Sequence, residues 1–200
     1  VSINPFGIVL PPQARAEREQ PRRLLFVGNY THAPNVDAAL WLGREIMPRL
    51  EVLSPGVRLD LVGIYPPPEV KALEGEHIRV TGPVPEIDPY MEEAAVVLAP
   101  VRIGGGMRMK VLQAMAMGKP VVTTTRGAEG LDVLGEPPPL RTADEAGDFA
   151  KAASLLLEDP RERERLGTAA RDFVAGHFSP QAYTNRIEAT YAQMTASEAQ

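Results

Sequence analysis

The sequence predicts an α/β fold built on a doubly wound parallel sheet. Short apolar runs closed by glycine or proline alternate along the chain with stretches whose apolar residues recur at helical spacing. The first of these runs, RRLLFVG, is continuously apolar after its two arginines, which is typical of a parallel strand buried on both faces. Right-handed crossovers between such strands give a Rossmann-like layout, here one domain over residues 1–200 with a helical C-terminal tail.

Five segments are predicted to form strands, and a shorter sixth segment is a further candidate. The first, RRLLFVG, ends at Gly28, and the second, VRLDLVG, ends at Gly63. The fifth, PVVTTT, is rich in β-branched residues, which strands favour. In chain order the six segments are residues 22–28, 57–63, 78–82, 95–100, 120–125 and 139–142.

Helices are predicted between and after the strands. A long one runs from about Asn35 to Leu53, and Pro48 within it is expected to kink it or to begin a new turn. Residues 11–21 are polar and charged and are expected to form an exposed loop, at the end of a lead-in over residues 1–21. The other predicted helices are residues 66–73, 86–94, 107–117, 144–158, 160–177 and 180–194, the last within a C-terminal helical segment at 178–200.

The composition excludes several classes of protein. The chain has 200 residues, a net charge of −5 and no cysteine, so it has no disulfide and no thiolate metal site. No polyanion-binding surface follows from the total charge, and we expect no nucleic-acid partner. No apolar run approaches the ~20 residues that span a bilayer, and no membrane contact is evident in the segment. The first residues lack the features of a signal peptide, and the sequence does not begin with methionine. We therefore expect a chain cut from a longer protein.

A glycine loop in front of a predicted helix is the main candidate site. Gly104, Gly105 and Gly106 follow the fourth predicted strand, and Arg108 and Lys110 are expected in the first turn of the next helix. Backbone amides at a helix start bind anions, and glycines allow a close approach. Two cations disfavour a helix start unless a phosphate lies between them and the amides. The alternative is a glycine-rich turn with two solvated cations.

Two common nucleotide motifs are absent from the sequence. Gly118 and Lys119 are followed by Pro120, where a Walker loop needs a hydroxyl residue to hold magnesium. The first predicted strand is followed by GNYTHA, which lacks the glycine spacing of a dinucleotide fingerprint. The three histidines show no metal-ligand spacing, so no metal site is predicted.

Three stretches resemble a known family in order and spacing. They are FVGNYTHAPNVDAALWLGREIMP, LVGIYPPPEV and VTGPVPEIDPYMEEAAVVLAPVRIGGGMRMKVLQAMAMGKPVVTTTRGAEGL. Together they resemble the C-terminal domain of the group 1 glycosyltransferases, which have the two-domain GT-B fold. The resemblance runs from about Val1 to Leu131, and the block from Gly104 to Gly130 is its most specific part.

The resemblance implies an activity for the whole protein. The C-terminal domain of this family binds a nucleotide sugar, and the N-terminal domain, expected to be missing here, binds the acceptor, which is a sugar, lipid or polysaccharide. The sugar passes to an acceptor hydroxyl, usually with retention of configuration and without a tightly bound metal. The resemblance therefore implies a nucleoside-diphosphate sugar as substrate, with no further cofactor.

The resemblance also assigns residues to the donor. The base side is matched by the turn at Gly82, Pro83 and Val84. The diphosphate side is matched by the glycine loop, by Met107 at the predicted helix start, and by Arg108 and Lys110. These two cations would stabilise the charge that develops on the leaving diphosphate.

Some positions depart from the family pattern. Many members carry two glutamates with seven residues between them, and the matching residues here are Gly105 and Gln113. Gln113 can still accept from a ribose hydroxyl, but it supplies no charge. Many members also place an arginine and a lysine after the first strand, where this chain has the neutral residues Asn29 and Asn35.

Further candidates lie in neighbouring loops. Gly28 and Asn29 end the first predicted strand and are assigned to donor binding. His32 follows them, and it either contacts the donor or acceptor or is a solvated loop histidine. Glu129 lies in GAEGL, where it either approaches the donor or is a turn carboxylate.

Three functions stay open at this stage. The first is a glycosyltransferase donor domain, the second is a nucleotide-sugar epimerase or hydrolase of the same fold, and the third is a noncatalytic nucleotide-binding module. The isolated chain is expected to bind nucleotide weakly and to catalyse nothing alone. We expect a cytoplasmic location, with any peripheral contact to the inner membrane made through the missing domain.

Overall fold

A computed structural model describes residues 7–105, 108–132 and 135–198, with side chains described to residue 192. Its centre is one sheet of six parallel strands in the order β3-β2-β1-β4-β5-β6. This order confirms the doubly wound Rossmann-like fold. The strands are β1 (Arg23–Val27), β2 (Arg58–Val62), β3 (Ile78–Gly82), β4 (Val96–Ala99), β5 (Val121–Thr123) and β6 (Arg141–Thr142).

Helices follow the strands on both faces of the sheet, near the predicted positions, except that Thr125–Ala128 forms a short unpredicted helix at the end of the fifth predicted strand. The candidate sixth strand shortens to two residues, and the last helix extends four residues beyond its predicted end. The described helices are α1 (Ala33–Trp41), α2 (Met47–Leu53), α3 (Pro68–Lys71), α4 (Asp88–Glu93), α5 (Met109–Ala116), α6 (Thr125–Ala128), α7 (Ala146–Glu158), α8 (Pro160–Phe178) and α9 (Pro180–Glu198).

The predicted long helix is continuous but contains a wide turn. Residues Leu42–Ile46 form a π turn between α1 and α2, and the Met47 amide donates to the Leu42 carbonyl five residues back. Pro48 has no N–H to continue the α-helical pattern at this point. The wide turn therefore lies just before the proline, where the sequence predicts a kink or a new turn.

Two apolar clusters hold the sheet between its helices. Alternate residues of β1 point to opposite faces: Leu24 and Phe26 belong to one cluster, and Leu25 belongs to the other. The first cluster takes in α1, α2 and α7, and the second takes in α4, α5 and α8. The middle of β1 and all of β4 are buried on both faces, which explains why these two strands are continuously apolar there.

The lead-in packs more closely than an exposed loop. The Ala14 amide donates to the Met117 carbonyl at 3.0 Å, and the Gln20 amide donates to the Glu93 carbonyl at 2.9 Å. Residues Ala16–Arg18 form one 3₁₀ turn with exposed side chains. Glu19 is partly buried against Arg163. The segment is therefore exposed only in part, which corrects the expectation from its composition.

No helix within the described ranges is both long and apolar enough to cross a bilayer.

Candidate functional site

A cavity of about 420 Å³ opens at the carboxyl ends of β1 and β4. The two strands are neighbours, and the strand order reverses between them, so the loops that follow them diverge. Such a reversal is the usual ligand crevice of an open parallel sheet. The polar and glycine residues lining the cavity are His32, Asn35, Gly104, Gly105, Arg108 and Lys110, and its apolar lining includes Phe26, Val27, Met91 and Val97.

The loop after β1 is held by its own polar groups. The Asn29 side-chain oxygen accepts from the Thr31 amide at 3.1 Å and from the Thr31 hydroxyl at 2.8 Å. The Asn35 side-chain amide donates to the Asn29 carbonyl at 2.6 Å. His32 is exposed at the residue before α1 and makes no side-chain cap there. This loop is therefore fixed before any ligand binds.

Two glycines let the loops after β1 and β2 lie close together. The Gly28 amide donates to the Val62 carbonyl at 2.8 Å. A Cβ built on Gly63 would lie 1.6 Å from the Gly28 carbonyl oxygen, and the φ of Gly63 is +154°. A Cβ on Gly28 would lie 3.0 Å from the Phe26 ring. Gly63 therefore requires glycine for this close approach, whereas a Cβ on Gly28 would need the Phe26 ring to shift by a few tenths of an ångström.

Lys110 lies in the first turn of α5 with its ammonium in the cavity. Its Nζ donates to the Asn35 Oδ1 at 2.9 Å and lies 5.8 Å from the centre of the Phe26 ring. Burial lowers the pKa of Lys110 to about 8. No carboxylate in the described part of the chain lies at ion-pair distance from this ammonium, so its charge is not neutralised.

Arg108 does not lie in the first turn of the helix, which corrects the prediction. It is the capping residue before α5, with φ −84° and ψ 53°. Its side chain is 8% exposed, and Nη2 donates to the Arg126 carbonyl at 2.6 Å and lies 3.5 Å from a Glu129 carboxylate oxygen. Its Nε is buried and has no partner among the described residues. Within the described residues this donor is therefore buried and unsatisfied.

The glycine loop contacts Pro34 of α1 and Arg126 of α6. Gly104 has φ +87°, and a Cβ there would lie 2.8 Å from the Pro34 ring. The Arg126 guanidinium donates to the Gly104 carbonyl at 3.0 Å. Gly105 faces open space. The assignments of Gly106 and Met107 fall outside the described residues.

Arg102 connects the same loop to α1. Its guanidinium makes a two-pronged contact with Asp37, at 3.1 and 2.7 Å. It also lies 4.7 Å from the centre of the Trp41 ring. A planar guanidinium held by a carboxylate and an aromatic face fixes the start of the loop.

Several predicted donor residues lie away from the cavity. Gly82, Pro83 and Val84 follow the edge strand β3, which is separated from β4 by β2 and β1. None of them lines the cavity, whereas Met91 of α4, which follows this turn, does. Gln113 is exposed on α5 and does not line the cavity either. A donor role for these four residues stays a prediction.

Glu129 lies beside a second, more open cavity of about 910 Å³ at the carboxyl ends of β5 and β6. Residues 101–105 separate the two cavities, with Arg102 facing the second and Ile103 the first. The ion pair between Arg108 and Glu129 connects them. Glu129 therefore touches the candidate site through Arg108.

Sequence reasoning missed the partners of the two cations. Asn35 appeared only as a departure from the family pattern, and Arg126 was not singled out, yet these residues accept from Lys110 and Arg108. Asn35 is 75 residues from Lys110 in the chain, so no local spacing signals the contact. The sequence predicted Phe26 only as part of the first strand, not as a residue that lines the cavity. Within the described ranges, no group of three or more His, Asp or Glu side chains is placed to hold a metal ion.

Comparison with known families gives one match. A family model described as glycosyl transferases group 1 matches residues 21–159, which is more than half of the chain. A comparison with curated protein sequences gave no match.

Three solved structures are similar to the chain. HepE from Anabaena, in complex with UDP and glucose, is 19% identical over 86% of this chain and 48% of its own length, with a TM-score of 0.65. The C-terminal domain of LpcC, a group 1 glycosyl transferase from Francisella tularensis, is 16% identical over 78% of this chain and 85% of its own, with a TM-score of 0.60. TarM from S. aureus is 12% identical over 90% of this chain and 37% of its own, with a TM-score of 0.73.

These similarities concern the fold. The chain spans about half the length of two of the solved structures it matches, namely 48% of HepE and 52% of sucrose-phosphate synthase from Thermosynechococcus elongatus.

Proposed function

The chain belongs to the glycosyl transferases of group 1, and from this premise we propose that it binds the sugar donor of a glycosyltransferase. The donor is a nucleoside-diphosphate sugar, and the enzyme transfers the sugar to an acceptor hydroxyl. The family match supports glycosyl transfer, and the nucleoside-diphosphate sugar follows from the resemblance seen in the sequence. HepE was solved with UDP and glucose, which makes a uridine nucleotide the first ligand to test.

The observation that carries the proposal is the placement of two cations in one cavity. Lys110 and Arg108 line the crevice between β1 and β4. Lys110 has no carboxylate partner among the described residues, and Arg108 keeps a buried donor without a partner there. Leaving buried cationic groups without full compensation costs stability, so an anionic ligand would satisfy them. A diphosphate has the charge and the acceptor oxygens to do so.

The proposed chemistry is stabilisation of the leaving group. As the bond from the anomeric carbon to the diphosphate oxygen breaks, negative charge builds on the diphosphate and the sugar becomes oxocarbenium-like. The Lys110 ammonium and the Arg108 guanidinium, fixed by Asn35 and by the Arg126 carbonyl, would lower the energy of that charge without reorganising. We propose that transfer proceeds with retention and without a tightly bound metal.

The whole enzyme is proposed to have a second domain for the acceptor. The chain covers 48% of HepE and 52% of the sucrose-phosphate synthase, which leaves room for such a domain in these proteins. Under this proposal the isolated chain binds the donor nucleotide but does not transfer sugar, and the enzyme acts in the cytoplasm.

Binding of nucleotides to this chain tests the proposal. Isothermal titration with UDP, GDP, ADP and NAD is expected to show binding of one nucleoside diphosphate and none of the dinucleotide. Arg108→Ala and Lys110→Ala should each weaken that binding, and in the full-length enzyme should lower turnover at least ~10-fold. Lys151→Ala, which removes an exposed lysine of α7, is the matched control. Unchanged binding and turnover in both site variants would contradict the proposal.

A second assay separates transfer from related reactions. The full-length enzyme is given the nucleotide sugar with and without acceptors. Sugar transfer is expected, whereas epimerisation or simple hydrolysis of the nucleotide sugar would replace the proposed activity with that of another enzyme.

A further inference from the structure

We propose that Asn35 is a positioning residue, whose side-chain amide holds the Lys110 ammonium in the cavity while leaving its charge free for the ligand. The inference deepens the proposed function and rests on it. It concerns a position where the family resemblance implies a lysine and this chain has a neutral amide.

Both the oxygen and the nitrogen of the Asn35 side-chain amide are hydrogen-bonded. Its Oδ1 accepts from the Lys110 ammonium at 2.9 Å, and its Nδ2 donates to the Asn29 carbonyl at 2.6 Å. An ammonium can only donate and a carbonyl can only accept, so these partners allow one orientation of the amide. Asn29 is itself held by two hydrogen bonds from Thr31. The position of Lys110 is therefore set from the loop after β1.

Close packing around Asn35 restricts it further. A Cβ on Gly28 would lie 3.3 Å from the Asn35 Cβ, tighter than ordinary contact. Its Oδ1 contacts the Lys110 ammonium, which lies 5.8 Å from the centre of the Phe26 ring. Asn35 therefore occupies a fitted position between the first strand and the ammonium.

The charges around the cavity explain why an amide suits this position. The ionisable residues lining it, among those described, are His32, Arg108 and Lys110, and no carboxylate lines it there. Lys119, by contrast, lies 3.5 Å from the Glu19 carboxylate. A carboxylate at position 35 would neutralise Lys110 and repel a diphosphate. An amide oxygen orients the ammonium without either effect.

The contact also fits the energetics of a buried lysine. Burial lowers the pKa of Lys110, and an acceptor that carries only a partial charge offsets this less than a carboxylate would. A bound diphosphate supplies the missing negative charge. Asn35 therefore holds the Lys110 ammonium in place while leaving its positive charge available to an anionic ligand.

Two variants test the role of Asn35 in the full chain. Asn35→Asp is nearly isosteric, and we expect it to raise the pKa of Lys110 by at least about one unit and to weaken UDP binding at least ~10-fold. Asn35→Ala should weaken UDP binding by roughly 3–10-fold, because the ammonium loses its acceptor. Asn185→Asp adds the same charge on α9, where the exposed Asn185 accepts from Gln181, and controls for net charge.

The readouts are titration calorimetry with UDP and with inorganic pyrophosphate, and the NMR titration of the ¹³C-labelled Lys110 Cε without ligand. Affinities within twofold of the unsubstituted chain in both variants would overturn the proposal. So would weaker binding in Asn35→Asp with an unmoved Lys110 titration, because the new charge would then act directly on the ligand. If the unsubstituted chain binds none of the tested nucleotides, the proposed function fails, while the Lys110 titration still decides whether Asn35 sets its state.

Discussion

The Arg108 guanidinium lies 3.5 Å from the Glu129 carboxylate and donates to the Arg126 carbonyl at 2.6 Å. The two contacts differ in kind. The carbonyl is a fixed part of the α6 backbone, whereas the Glu129 side chain is 65% exposed. An ion pair with so exposed a partner contributes little to stability because water screens it. Glu129 is therefore a partner that a diphosphate can replace.

Replacing Glu129 with glutamine tests whether its carboxylate competes with the ligand. We expect Glu129→Gln to tighten UDP binding by roughly two- to fivefold, because the substitution removes a negative charge beside the Arg108 guanidinium. Titration calorimetry measures the change, with Asp148→Asn on α7 as a control for net charge. Weaker binding in Glu129→Gln would instead mean that the carboxylate contacts the donor directly, which is one of the two alternatives that the sequence leaves open.

The depressed pKa of Lys110 predicts a pH-dependent stability. Below about pH 8 the ammonium is protonated in both the folded and the unfolded chain, and burial of the charge destabilises the folded state. Between about 8 and the ordinary value of 10.5 the unfolded chain binds a proton that the folded chain does not. The contribution of Lys110 to the free energy of unfolding therefore rises with pH across this window, by at most about 3 kcal/mol.

Lys110→Met isolates this effect. We expect the variant to be more stable than the unsubstituted chain at pH 7, and the difference to shrink as the pH rises from 8 towards 10.5. Urea unfolding at several pH values measures it, with Lys151→Met as the exposed control. The same variant should lose diphosphate affinity. A stability difference that stays constant with pH would show that Lys110 titrates normally.

The parts of the fold that sequence predicts best are those fixed by local periodicity. Val121–Thr123 and its neighbours read as strands because they are apolar on both faces and buried on both faces in the sheet. The strand order is then limited by right-handed crossovers. The irregular turn before Pro48 was predicted correctly, because a proline lacks the N–H that would continue the α-helical hydrogen bonds at its own position.

The site could be predicted only in part, because its contacts are distant in the chain. Arg108 and Lys110 share a cavity, as their proximity in sequence suggests. The capping conformation of Arg108, however, turns its side chain to α6, and the partner of Lys110 lies 75 residues away. Glu19 and Arg163 are 144 residues apart. Such pairs depend on how the elements pack, which periodicity does not describe.

The close contact between the loops after β1 and β2 predicts that a methyl group added at Gly63 destabilises the fold strongly. Gly63→Ala would place a Cβ 1.6 Å from the Gly28 carbonyl, so the loops must separate. We expect a loss of about 3 kcal/mol in the free energy of unfolding and weaker UDP binding, because Gly28 and Asn29 move with the loop. Chemical denaturation and calorimetry measure the two effects.

The matched control is Gly75→Ala. A Cβ on Gly75 meets nothing within 4 Å, and the residue shows no left-handed φ. Its stability should change by less than about 0.5 kcal/mol. Equal stability of the two variants would show that the loops do not constrain each other.

The lead-in segment is fastened to the domain by a buried cluster of charges. The Glu19 carboxylate accepts from Arg163 at 2.9 Å and lies 3.5 Å from the Lys119 ammonium. The side chains of Arg163 and Lys119 are each 4% exposed. They also donate to backbone carbonyls, Arg163 to Leu156 and Leu157, and Lys119 to Glu92 and Ala94. Glu19 supplies the only carboxylate charge recorded within ion-pair distance of either cation in the described part of the chain.

Glu19→Gln removes that charge and leaves two buried cations with backbone carbonyl acceptors but without a carboxylate at ion-pair distance among the described residues. We expect a loss of about 3 kcal/mol in the free energy of unfolding, which for a chain of this size lowers Tm by roughly 6–12 °C. Glu17→Gln, two residues away on the exposed 3₁₀ turn, is the control and should leave Tm within about 1 °C. A Tm for Glu19→Gln equal to that of the control would mean that the lead-in is a loose linker. The expected loss would instead make it part of the folded domain, because the cations on α8 and before β5 depend on it.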